Sequence, residues 1–135
     1  MIKQVFDIED YWKVIIYYDI DFRYFSSIIK DLVAADSSNE LIIEAYHMLK
    51  SGEAKAATFS NIYLHTSIVL FNKHNSKEDY LNSIVHEAEH VKQAMLKAYN
   101  VEDEGESPAY TIGHILSRMY PIIKDIICYK CNEYG

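Results

Sequence analysis

Apolar and polar positions follow two rhythms along this chain. Residues 11–20, YWKVIIYYDI, are β-branched and aromatic almost throughout and predict a buried or half-buried strand. In the following DFRYFSSIIKDLVAA, residues Phe22, Phe25, Ile28, Ile29, Leu32 and Val33 recur at steps of three and four, which predicts a helix. Ser37 with Glu40 makes a capping box ahead of LIIEAYHMLK, and Gly52 is suited to close that segment, so a second helix is expected over about residues 38–51. The stretch AATFSNIYLHTSIVLFN then returns to Thr, Ile, Val, Phe and Tyr without helical spacing. It predicts one or two strands, with no tight-turn signal to divide them.

The next helix is the longest and best marked. Ser76 or Asn75 can cap it, Lys77, Glu78 and Asp79 fill its first turn, and Leu81, Ile84, Val85, Ala88, Val91, Met95 and Ala98 trace an apolar stripe. Residues 100–106, NVEDEGE, are acidic and contain Gly, so the helix is expected to stop there. Ser107 and Pro108 have the residue types of an N-cap and first helical position. A last helix, AYTIGHILSRMY, meets Pro121 and continues as PIIKDIICYKC after a kink or break.

Composition narrows this α+β pattern to one domain spanning residues 1–135. Half of the 135 residues are hydrophobic, enough for a single core, and four Gly and two Pro leave no room for a long flexible linker. The net charge of -7, with thirteen scattered Lys and Arg, argues against a nucleic-acid partner, which calls for a basic stripe. No stretch approaches the roughly 20 apolar residues of a membrane span. The start, MIKQVFDIED, carries acids where a secretory signal has a cationic segment, so a cytoplasmic location without membrane attachment is expected. Cys128 and Cys131 form a lone CxxC at the end of the chain. Free thiols are expected there, since a zinc ribbon needs a second pair.

Chemistry enters at IVHEAEHVKQAML. His86, Glu87 and His90 form an HExxH motif within the longest helical pattern, off the expected apolar stripe. Histidines four apart on a helix project from one face, so both imidazoles can reach one Zn2+ ion, and Glu87 beside them can take a proton from bound water. The alternative is a solvated helix face. Catalytic zinc usually takes three protein ligands. The pattern with a third His six residues beyond the second fails, because that position is Leu96. A carboxylate from the acidic turn is the expected third donor, among Glu102, Asp103, Glu104 and Glu106. Glu106 is favoured because it immediately precedes the expected cap at Ser107.

With those residues in view, FNKHNSKEDYLNSIVHEAEHVKQAMLKAYNVEDEGESPAYTIGHI resembles the small zincin-like proteins encoded in phage and prophage genomes of gut bacteria, minimal relatives of the gluzincin metallopeptidases. The likeness is most specific over residues 71–115. It implies a small zincin-like core with a short β-sheet packed on helices, one bearing HExxH and the next bearing a glutamate. It further implies His86 and His90 as zinc ligands, Glu87 as catalytic base and Glu106 of GExxAY as third ligand. The implied activity is that of a zinc peptidase acting on a peptide or protein substrate. The chain departs from full-length gluzincins in lacking their large substrate-binding subdomain. A non-catalytic metal-binding or protein-interaction module is therefore the alternative.

Tyr110 and His114, one turn apart and four and eight residues after Glu106, are the candidate donors to the oxyanion that such a peptidase forms. His65 and His74 flank an expected strand at Ile62 to Phe71, which is a candidate cleft edge for binding substrate as an added strand. His47 carries no such indication.

Overall fold

The computed structural model describes residues 2–134, and the side chains of residues 2–127. Cys128 and Cys131 lie outside the described side chains. The chain is α+β. Strand β1 (Ile2–Ile8), strand β2 (Trp12–Ile20), a short 3-10 turn (Phe22–Tyr24), helix α1 (Phe25–Ala34), helix α2 (Asn39–Ser51), strand β3 (Ala56–Asn61), strand β4 (Thr66–Asn72), helix α3 (Lys77–Ala98) and helix α4 (Glu106–Tyr134) follow in order. The four strands form one mixed sheet in the order β1-β2-β4-β3. β1 and β2 are an antiparallel hairpin, β3 and β4 another, and the hairpins join through parallel pairing of β2 with β4.

The sheet is covered on both faces, which explains why its central strands are nearly continuously apolar. Trp12, Val14, Ile16 and Tyr18 of β2, with Val69 and Phe71 of β4, pack under Ile84, Ala88, Val91 and Met95 of α3 and Ile115 and Met119 of α4. The alternate side chains, Ile15 and Tyr17 of β2 with Ile68 and Leu70 of β4, pack on Ile28 and Leu32 of α1 and Ala45, Met48 and Leu49 of α2. Past Tyr17 the β2–β4 register shifts, and Asp19 adopts a φ of 55°. The extra residue reverses the alternation, which sends Ile20 to the α1/α2 face.

Several expectations are met, some of them shifted. α2 ends on Gly52 at φ 68°, the left-handed conformation that glycine adopts without a Cβ penalty, but its cap is Ser38, whose Oγ accepts from the Leu41 N–H, in place of Ser37. Ser76 caps α3 by accepting from the Asp79 N–H. The buried side of α3 runs through Tyr80, Ile84, Glu87, Ala88, Val91, Lys92, Met95 and Leu96, whereas Leu81 and Val85 are exposed. The apolar stripe is thus rotated, because α3 sits near one sheet edge and its Leu81/Val85 side meets solvent. α4 begins at Glu106, ahead of the expected start, and runs through Pro121 without interruption.

Two elements were not foreseen. β1 places only Phe6 and Ile8 in the core, so its pattern is too weak to announce a strand. The segment 56–72 is divided by a turn in which the Asn61 side chain accepts from the N–H groups of Tyr63 and Leu64 and His65 takes a φ of 50°. The outer strand is therefore β3. β4, which covers most of the expected cleft-edge strand, is interior.

Candidate functional site

α3 lies over the β3 side of the sheet and α4 over the β1 side. The outer flank of α3 therefore meets the free edge of β3, and between them opens a cavity of about 530 Å³. His86, Glu87 and His90 line it from α3, Thr58 and Ser60 from β3, and Glu44 from α2, with Lys97 at the far end.

The helical spacing of the motif sets its two imidazoles side by side, in hydrogen-bonding contact. The Nε2 atoms of His86 and His90 face each other at 3.1 Å, with ring centroids 4.7 Å apart and the rings nearly perpendicular. Zinc–nitrogen bonds of about 2.0–2.1 Å at a tetrahedral angle set two such nitrogens about 3.4 Å apart, so this pair suits one zinc ion. Both rings are exposed.

Glu87 is only 5% exposed, and Thr58 Oγ1 donates to its Oε1 at 3.0 Å. Thr58 is available because strand alternation turns Phe59 into the α1/α2 core and leaves Thr58 toward α3. Nothing in the motif itself identifies Thr58. It becomes visible only when β3 is known to lie against α3.

The remaining expected site residues lie elsewhere. Ser107 and Thr111, in the first turns of α4, share a small cleft with Met95, Leu96 and Tyr99 at the end of α3, well past His90. Glu106 belongs to that same first turn of α4, and neither it, Tyr110 nor His114 lines the cavity beside the histidines. Tyr110 is 74% exposed. Among the described residues, no three His, Cys, Asp or Glu side chains stand together as a metal-binding group.

The acidic turn is held from another side. Lys92, a cation on the buried flank of α3, pairs with Glu89 at 2.5 Å and with Asp103 at 2.9 Å. The Glu89 hydrogen bond, aided by Asp103 and opposed by desolvation, raises the Lys92 pKa above the ordinary lysine value. Glu102, Glu104 and Glu106 are exposed around this anchor.

Two other histidines, His74 and His65, are committed to the fold. His74 is buried, with Nδ1 2.7 Å from the Asn72 carbonyl oxygen and Nε2 2.8 Å from Ser83 Oγ. His65 stacks on Trp12 and meets the Tyr99 hydroxyl at 2.9 Å. His47 lines a second cavity with Glu44.

No protein-family model matches this sequence, and neither a curated protein nor a solved structure is significantly similar to it. Among the described residues no helix is long and apolar enough to cross a membrane.

Proposed function

We propose that the protein is a zinc-dependent peptidase of small zincin-like type, with His86 and His90 as two ligands, Glu106 as the third, and Glu87 as general base. The observation that carries this reading is the convergence of two imidazole Nε2 atoms at 3.1 Å beside a glutamate, in a cavity walled by a free strand edge. Bound zinc supplies a Lewis acid and brings the pKa of its water toward neutrality. The chain's own residues divide the remaining tasks. Thr58 orients the Glu87 carboxylate. Glu87 then accepts a proton from the attacking water and passes it to the leaving amine. The edge of β3 offers main-chain groups to an extended peptide.

Glu106 reaches the histidines only through a change at the turn that carries it, since the first turn of α4 packs beside the last turn of α3. Its substitution is therefore the informative one. After metal reconstitution, elemental analysis is expected to find one zinc per wild-type chain and none in His86→Ala or Glu106→Ala. A wild-type chain without stoichiometric zinc sinks the zincin reading. Metal retained by Glu106→Ala removes only Glu106 from the ligand set.

A second reading, a non-catalytic metal-binding or protein-interaction module, is favoured by the lack of a third gathered donor among the described residues. Glu87→Gln separates the two. It is expected to keep the metal and to lose cleavage of a quenched-fluorescence peptide mixture that wild type cuts. No cleavage by zinc-loaded wild type favours the module.

A further inference from the structure

Beside the histidine cavity lies a second one of about 310 Å³, and the two share Glu44, Ala56 and Ala57 as wall. We propose that this second cavity is a subsite for a cationic side chain, Lys or Arg, of the bound peptide. That the ligand is a peptide rests on the peptidase reading; the charge preference rests on the cavity alone.

The wall has two chemistries. Met48, Ala56, Ala57 and Phe59 give an apolar lining, against which the methylene stem of a lysine or arginine packs while its head stays at the polar rim. At that rim stand the carboxylates of Glu44 and Glu53, both on exposed residues. No lysine or arginine lines the cavity. The cations nearest in sequence are turned to other partners: Lys50 donates to the Tyr46 hydroxyl at 3.0 Å, and Lys55 pairs with Asp79 at the start of α3. Neither carboxylate is in a salt bridge among the described residues, and the exposed imidazole of His47 is the one basic side chain that shares their rim. A ligand ammonium or guanidinium supplies a counter-charge.

The volume suits one side chain and not a folded partner, being near the roughly 300 Å³ low end of ligand pockets. Its position gives it a consequence for specificity. A residue seated there has its main chain beside Ala56 and Ala57, at the β3 edge, and so adjoins the bond presented to His86, Glu87 and His90.

Amide NMR titration of the metal-free chain tests this without requiring catalysis. N-acetyl-lysine amide is expected to shift the Ala56, Ala57 and Phe59 resonances, and the norleucine and glutamate counterparts to do so at least about five-fold more weakly. The double variant Glu44→Gln/Glu53→Gln, altered only at exposed positions, is expected to lose the lysine preference with its spectrum otherwise unchanged. Equal shifts from norleucine, or a preference that survives in the variant, overturns the subsite. A lysine-selective response in a chain that neither holds zinc nor cuts peptides leaves the subsite standing and removes the peptidase reading.

Discussion

His74 and the His86/His90 pair lie on either side of the first turns of α3, and their surroundings differ in the way that separates structure from chemistry. Both ring nitrogens of His74 have protein partners, one carbonyl and one hydroxyl, and the ring is buried. It locks the end of β4 to α3. His86 and His90 are exposed, and each Nε2 finds only the other. Two exposed nitrogens that bond only to each other can exchange that bond for a ligand, whereas a histidine with both hydrogen-bonding positions filled by the fold has nothing left to offer one. Spacing in the sequence distinguishes the pair, but it says nothing of why His74 is withheld.

The largest expected effect concerns zinc. At a hundred-fold excess over its dissociation constant it should stabilise wild type by about 2.7 kcal/mol in urea unfolding. His86→Ala should lose that increment entirely, and His74→Ala should keep it. Zinc stabilisation lost in His74→Ala and kept in His86→Ala would invert the comparison. Next comes the metal-free fold. His74→Ala removes one buried and one part-buried hydrogen bond and should cost about 2 kcal/mol, against a change within about 0.5 kcal/mol for His86→Ala. Equal costs would show that the exposed pair is also part of the scaffold.

Thr58→Val, nearly isosteric, should cost about 1 kcal/mol by taking a donor from buried Glu87. In zinc-loaded protein it should lower peptide cleavage more than it lowers metal affinity, which separates positioning of Glu87 from ligation. The smallest effect is on acid stability. The Lys55 ammonium holds the Asp79 carboxyl below its ordinary value, with desolvation opposing. A depressed carboxylate pKa stabilises above the unfolded value and loses that contribution as pH falls through the folded one. Lys55→Ala should therefore begin to unfold at slightly higher pH on the acid side, as circular dichroism would register.

Much of the scaffold was legible because its signals are local. The helical steps from Phe25 to Leu32, the glycine at 52 and the serine at 76 each state their structure within a few residues. β1 was not, since an edge strand that buries two side chains lacks a clear period. The same holds at the site. Residues 86, 87 and 90 are read from a helix alone, whereas Thr58 and Glu44 join them only through the packing of β3 and α2 around one sheet edge. Glu106 illustrates the limit. Its closeness to the motif in sequence spans a helix end and a turn, and the start of α4 lies beside the last turn of α3.

The parallel seam between β2 and β4 has a kinetic consequence. Each hairpin can close through short-range contacts, β1 on β2 and β3 on β4, but the seam pairs Val14 with Ser67 and Ile16 with Val69, far apart along the chain. Closing so long a loop comes before any of the seam's contacts can reward it, which makes seam formation the natural slow step of folding. α3 packs on both hairpins at once, through Trp12, Val14 and Ile16 on one side and Val69 and Phe71 on the other. The cavity that holds the histidines, by contrast, takes all its walls from residues 44–97, on one side of that seam. Motif and walls thus belong to one continuous stretch of chain, and neither β1 nor β2 is needed to bring them together.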